Sequence, residues 1–181
     1  MTLEDLKDKT VLILGLGKEG TSALNFMRKQ FAFKKIGLAD IKSKDQLNKD
    51  LVRLINKDHN LELHLGENYQ EAINLYDIIL KSPGVYIEKP TSKQITSQAQ
   101  LFLEKHKNKT IGVTGTKGKS TTSSLIYQML KDAAVNTELI GNIGKPFFDH
   151  FNQNRKVFVC ELSSFQLQNI KVSPHISVFL N

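Results

Sequence analysis

Lys119, Ser120 and Thr121 are the residues of this chain best placed to do chemistry, because of the loop that presents them. The loop reads T-G-T-K-G-K-S-T over positions 114–121 and combines Gly115, Thr116, Lys117 and Gly118 with those three. Glycines let a backbone approach a polyphosphate closely and aim successive N–H groups at it. An apolar run, Ile111 to Thr114, leads in, and apolar residues at Leu125, Ile126, Met129 and Leu130 predict a helix leading out. A helix N-terminus adds unsatisfied N–H groups and the positive end of its dipole. In this setting Lys119 is expected to reach the β- and γ-phosphates of a nucleoside triphosphate, and Ser120 or Thr121 to offer a hydroxyl to Mg2+. The longer phosphate-loop pattern has a glycine where this chain has Val113, so the loop is a compact variant. A plain turn at a helix N-cap is the alternative, but such a turn has no need of Gly-x-x-Gly-Lys-Ser-Thr.

A second candidate is Glu161, which ends the apolar run Val157 to Cys160. An acid at the carboxyl end of a buried parallel strand can hold Mg2+ directly or through water. The alternative is an ordinary solvated strand-end carboxylate. Ser163, Ser164 and Gln166 follow as hydrogen-bonding groups. No G-x-S-x-G elbow is present and no histidine lies close in sequence, which excludes a nucleophilic serine reading. His59, His64, His106, His150 and His175 have no metal-ligand spacing and read as surface or packing residues.

The third constellation is Gly15-Leu-Gly-Lys-Glu-Gly20 after the apolar run Val11 to Leu14, with Asp40 twenty residues past Gly20. On motif alone this is a dinucleotide fingerprint with Asp40 on a ribose hydroxyl, and it admits an NAD(P)-binding reading. The glycines also fit a different nucleotide, or close strand–helix packing alone. Ser82-Pro83-Gly84 follows another apolar run, at the end where open α/β sheets bind ligands.

The elements needed to position these groups are legible as alternating apolar runs and helical stripes. Strands are expected at Val11–Leu14, Lys35–Ala39, Leu61–Leu65, Asp77–Lys81, near Ile95, and at Ile111–Thr114, Thr137–Ile140, Val157–Cys160 and Ile176–Leu180. Helical stripes fall at Ala23, Leu24 and Met27, at Leu47, Leu51, Leu54 and Ile55, and at Tyr69, Ala72, Ile73 and Tyr76. A further helix is expected from about Ser97 to Lys107, with Ala99, Phe102 and Leu103 inward. Strands alternating with helices predict an α/β fold with parallel sheets. Before the phosphate loop there is room for only half of a full dinucleotide fold. The expected organisation is a Rossmann-like domain over 1–92, a linker over 93–108 and a P-loop α/β domain over 109–181.

At 181 residues the chain has room for one large domain or two small ones. Its composition, 40% hydrophobic and 24% charged, is that of a globular protein. No apolar run is long enough to span a bilayer, and MTLEDLKDKT is not a secretory signal. The single cysteine, Cys160, cannot form an internal disulfide, which points to the cytoplasm. The net charge of +7 is dispersed over lysines, with only three arginines and no basic arm, which argues against nucleic acid and fits anionic small molecules.

Taken together, GLGKEG, SPG, TGTKGKST, GNIG and ELSSFQL, in this order and at these separations, resemble the Mur ligase family. ELSSFQL points to the branch that adds D-glutamate to UDP-N-acetylmuramoyl-L-alanine. The resemblance runs from about Val11 to Asn181 and covers the family's first domain and the front of its central ATPase domain. It implies that the first domain binds UDP, not NAD. It further implies uridine-diphosphate contacts from Gly17, Lys18, Glu19, Ile41, Lys42, Ser82, Pro83 and Gly84. Lys42 stands where the family often has arginine, and Ile41 replaces a hydrogen-bonding residue. Asn142 resembles the contact to the sugar-linked part of the substrate, Lys119 and Ser120 the ATP residues, and Glu161 the Mg2+ ligand. The implied chemistry activates the alanyl carboxylate with ATP to an acyl phosphate, which the amine of D-glutamate then displaces. A folyl-polyglutamate-type ligase or another Mur ligase shares the phosphate loop. The family's acidic-histidine motif, modified lysine and third domain have no counterpart in these residues. The chain is therefore expected to be a monomeric fragment without ligase activity of its own.

Overall fold

The computed structural model describes all 181 residues. They form two compact units, Met1–Gln98 and Ala99–Asn181.

The first unit contains β1 (Val11–Leu14), α1 (Lys18–Gln30), β2 (Ile36–Asp40), α2 (Lys49–Lys57), β3 (Leu61–Leu65), β4 (Ile78–Lys81) and β5 (Gln94–Thr96). All strands pair in parallel, in the order β3-β2-β1-β4-β5. Every residue of β1, β2 and β4 is buried, as expected where both faces of a parallel sheet are covered. α1 contributes Ala23, Leu24, Phe26 and Met27 to the core, while α2 turns in Leu51 and Ile55 and leaves Leu54 partly exposed. Asn48 caps α2 by accepting from the Asp50 N–H at 2.8 Å. Another cluster joins Leu12, Leu14, Ala39 and Ile79 to Ala72, Ile73 and Tyr76. Ala72 and Ile73 lie on a 3-10 turn, Tyr69–Leu75, where the apolar spacing predicted an ordinary helix. The chain reverses direction of travel across the sheet between β1 and β4, which places a ligand crevice outside the carboxyl ends of those two strands.

The second unit contains α3 (Gln98–His106), β6 (Thr110–Gly115), α4 (Lys119–Asp132), β7 (Thr137–Gly141), β8 (Val157–Glu161), a single turn α5 (Ser164–Leu167) and β9 (Ile176–Leu180). The sheet is again all parallel, ordered β7-β8-β6-β9. Its core is aromatic: Phe102 of α3 packs against Phe147, Phe151 and Phe158. His106 joins this cluster, with Nε2 2.7 Å from the Phe151 carbonyl oxygen.

A further expectation differs from the structure. The strand expected near Ile95 and the helix expected from about Ser97 to Lys107 are both present, so the stretch 93–108, expected as a linker, is regular structure: Ile95 pairs with Ile79 to make β5 the fifth strand, and Ala99, Leu101, Phe102 and Leu103 are buried. The division between the two units, after Gln98, falls within this stretch, next to Ser97. In α4, Leu125 and Met129 are 59% and 63% exposed, and Ser123 is the buried residue of the helix.

Candidate functional site

The phosphate loop joins β6 to α4. Gly118 adopts φ +78° as the N-cap of α4, a conformation that costs an L side chain energy. Gly115 pairs with Leu180 of β9, and a Cβ there would fall 2.3 Å from the Leu180 carbonyl oxygen. The Lys117 N–H donates to the Asn181 carbonyl at 3.1 Å, so the end of β9 braces the loop from behind. The N–H groups of Gly118, Lys119, Ser120 and Thr121 find no acceptor within the chain; the first to do so is that of Thr122, on the Gly118 carbonyl. These four donors at a helix N-terminus form an anion cradle. Lys119 arches over the loop, with Nζ donating to the carbonyls of Gly115 (2.8 Å) and Thr116 (3.1 Å). The hydroxyls of Ser120 and Thr121 lie on exposed residues of the same turn.

Glu161 ends β8, immediately beside β6, in register with Val113 two residues before Gly115. It is 1% exposed. Its Oε1 accepts from Asn142 Nδ2 at 2.6 Å, while its Oε2 is buried without any hydrogen-bond partner. A buried carboxylate oxygen is costly unless something completes it. A divalent cation at this position would do so, with oxygen ligands suited to Mg2+. The unpartnered carboxylate oxygen of Glu161 is thus compatible in its chemistry with the metal expected from the sequence.

ELSSFQL does mostly structural duty. Ser163 caps α5 in a reciprocal box: its N–H donates to Gln166 Oε1 (3.0 Å), and the Gln166 N–H donates to Ser163 Oγ (3.3 Å). Leu162 is buried, and Ser164, Phe165 and Leu167 of the motif face solvent.

In the first unit, the expected diphosphate residues follow the carboxyl ends of β1, β2 and β4, and several of them line two clefts there. Gly17 is the N-cap of α1, followed by Lys18 and Glu19 in its first turn. A cleft of about 410 Å³ is lined by Gly17, Lys18, Thr21 and Lys42. Ile41, Gly84 and Tyr86 line a neighbouring cleft of about 230 Å³. Ser82 donates from Oγ to the Gly15 carbonyl (2.9 Å) and from N–H to the Leu14 carbonyl (2.9 Å), fastening the Ser82-Pro83-Gly84 turn onto β1. The glycines of GLGKEG divide by role. A Cβ on Gly20 would fall 2.1 Å from the Gly15 carbonyl oxygen, so packing alone explains Gly20. A Cβ on Gly17 would meet nothing within 4 Å, so packing does not explain it.

Three residues have roles that motif reading missed. Asp40 accepts from the N–H groups of Leu16 (2.6 Å, Oδ2) and Lys42 (2.9 Å, Oδ1), clamping together the turns after β1 and β2. Gln70 links Tyr69 to the main chain of Tyr86 and Glu88. Lys81, the last residue of β4, is buried beneath the Ser82-Pro83-Gly84 turn. A charged residue closing an otherwise apolar strand was the available signal for Lys81. Asn142 sits with the phosphate-loop unit, on Glu161.

Residues 9–101 match the model of the Mur ligase MurD-like N-terminal domain, and residues 113–181 match the Mur ligase middle domain. UDP-N-acetylmuramoylalanine–D-glutamate ligase of Clostridium acetobutylicum is 35% identical over 97% of this chain and 39% of the relative. Its counterpart in Clostridium botulinum is 35% identical over 97% and 40%, respectively. The chain thus spans about two fifths of the length of these curated relatives. Among solved structures, the UDP-N-acetylmuramate:L-alanyl-gamma-D-glutamyl-meso-diaminopimelate ligase from Neisseria meningitides aligns over 84% of this chain and 52% of its own, at 17% identity and TM-score 0.47. With its N-terminal match alone spanning just over half of the residues, and the middle-domain match following in order, the chain belongs to the Mur ligase family.

Proposed function

We propose that these residues form the UDP-substrate domain and the front of the ATP domain of a ligase that adds D-glutamate to UDP-N-acetylmuramoyl-L-alanine in the cytoplasm, as part of peptidoglycan precursor synthesis. The observation that carries this reading is the pairing of two incomplete groups at adjacent strand ends. One is the cradle of free N–H donors at Gly118–Thr121, and the other is the unpartnered Oε2 of Glu161. A triphosphate with its metal completes both, and neither has a use in a purely structural turn.

In the proposed reaction the alanyl carboxylate of the UDP-sugar attacks the γ-phosphate of ATP, forming an acyl phosphate and ADP. The amine of D-glutamate then displaces phosphate to form the amide. Lys119 is assigned to the β- and γ-phosphates, exchanging its present carbonyl partners for phosphate oxygens. Gly115, Thr116, Lys117, Gly118, Ser120 and Thr121 supply the remaining cradle. Mg2+, held by Ser120 and Glu161, would neutralise phosphate charge. The catalytic contribution of the protein is positioning and charge neutralisation. In the first unit, Gly17, Lys18, Glu19, Ile41, Lys42, Ser82, Pro83 and Gly84 are assigned to the uridine diphosphate. Asn142 is assigned to the sugar-linked part of the substrate, beside its hold on Glu161.

The rival NAD(P) reading is disfavoured by Asp40, whose two carboxylate oxygens are both engaged by backbone N–H groups. Calorimetric titration of the chain with UDP-N-acetylmuramoyl-L-alanine and, separately, NADH distinguishes the two. Binding of the UDP-sugar without NADH is expected; tight NADH binding with no response to the UDP-sugar would overturn the ligase reading.

A further inference from the structure

Lys81 is a buried lysine that no motif assigns. It closes β4 after Ile78, Ile79 and Leu80, in register with Leu14 of β1, and it is 7% exposed. Its Nζ donates to the carbonyl oxygens of Val85 (2.7 Å) and Ser82 (3.3 Å), the two ends of the turn that contains Pro83 and Gly84. Both partners are neutral, so the ammonium keeps its full charge. The charged group whose field reaches it is Glu19, in the first turn of α1. Burial lowers its pKa from the ordinary lysine value, and Glu19 only partly opposes this.

A buried cation held by neutral partners is expensive, and a nearby anion offsets that cost. The place where Lys81 sits already favours an anion for independent reasons. It lies at the carboxyl ends of β1 and β4, beside the N-terminus of α1 with its positive dipole end. Lys81 also commits two carbonyl dipoles of the turn to itself, and carbonyl oxygens are the groups of a tight turn that would repel phosphate.

We propose that Lys81 is a positioning residue for the diphosphate of the nucleotide substrate: it fixes the Ser82–Val85 turn and supplies a buried positive charge that the bound diphosphate completes. This rests on the UDP-substrate reading above. Binding of the diphosphate then raises the Lys81 pKa back toward its ordinary value. Between the free and bound values the complex takes up a proton, and affinity falls as pH rises through that window.

The test is calorimetry of the whole chain with UDP-N-acetylmuramoyl-L-alanine, in two buffers of different ionisation enthalpy, at about pH 7.5 and about pH 9.5. The wild-type chain is expected to bind with proton uptake at the higher pH. Lys81→Gln keeps a side-chain donor but no charge, and is expected to bind roughly tenfold or more weakly with the uptake diminished. Lys81→Arg keeps the charge but does not titrate there, so affinity within about fivefold of wild type with the uptake diminished is expected. Unchanged affinity in Lys81→Gln, or weakened affinity with unchanged proton uptake in both variants, would reduce Lys81 to a scaffold and overturn the proposal. Should Lys81→Gln fail to fold by circular dichroism, Lys81→Arg decides by its proton uptake alone. Absence of wild-type binding would instead overturn the UDP-substrate reading, and this proposal with it.

Discussion

Asn142 holds Glu161 at two levels. Its side-chain Nδ2 donates to Oε1 at 2.6 Å, and its main-chain N–H donates to the Glu161 carbonyl at 2.9 Å. Glu161 is thereby fixed in one rotamer at the end of β8, with Oε2 left over. Glu161→Gln keeps an acceptor for Asn142 and removes a buried charge. The unliganded variant is expected to be as stable as wild type or more so, by up to about 2 kcal/mol. The stabilisation that MgATP gives the wild type is expected to disappear. Thermal melts with and without MgATP check both halves; a variant still stabilised by MgATP would remove Glu161 from the metal site.

Asn142→Ala is expected to behave in the opposite way. It leaves both carboxylate oxygens buried without a donor, at a cost of about 1–3 kcal/mol. Urea denaturation measures the loss, and adding Mg2+ is expected to recover part of it. An unaltered midpoint would show that Glu161 reaches solvent once Asn142 is gone.

Lys119→Ala is expected to weaken ATP binding by about tenfold or more while leaving UDP-N-acetylmuramoyl-L-alanine binding unchanged. Gly118→Ala is expected to cost about 1–2 kcal/mol in stability, because position 118 sits at φ +78°. Parallel titrations of each variant with the two ligands check the division of labour, and equal loss of both would contradict it.

The elements were legible because the sheets are parallel and strands such as β1, β2, β4 and β8 are buried, so that they read as largely apolar runs. Val11–Leu14, Leu61–Leu65 and Ile176–Leu180 have the expected ends. The strand–turn–helix junction at Gly115–Thr121 was legible because its geometry is local: consecutive N–H groups come from consecutive residues. What stayed hidden depends on partners far along the chain. Nothing near Asp40 in sequence shows that Leu16 will donate to it, and nothing near Glu161 shows that Asn142 will. Lys81 was hidden for the same reason, because its burial is set by a turn fastened to Gly15.

Acid is expected to loosen the aromatic core through His106. Burial among Phe102, Phe151 and Phe158 lowers its pKa, opposed by its hydrogen bond to the Phe151 carbonyl and reinforced by Lys105 and Lys109. The folded state therefore favours neutral histidine. This contribution is fully present above the ordinary histidine value and is lost as pH falls below it, where the unfolded chain takes up the proton first. Urea midpoints at about pH 7.5 and about pH 5.5 are expected to differ more in wild type than in His106→Leu. An identical pH response in the two proteins would clear His106 of the effect.

Gly17 and Gly20 allow packing and binding to be separated in a single motif. Gly17 has φ −71°, which any residue adopts, and free space where its Cβ would be. Gly17→Ala is therefore expected to fold normally, within about 0.5 kcal/mol of wild type. Its methyl group would nonetheless stand at the mouth of the α1 N-terminus, where the diphosphate must come close to the backbone. UDP-sugar affinity is expected to fall about tenfold or more. Gly20→Ala places a carbon against the Gly15 carbonyl, and its cost is expected to appear as instability of the first unit, about 2 kcal/mol or more, whether or not ligand is present. Melting curves and UDP-sugar titrations on both variants give a two-by-two result. Wild-type affinity in Gly17→Ala would mean that the diphosphate does not rest on the first turn of α1, and the assignments of Lys18 and Glu19 would fall together with that of Gly17.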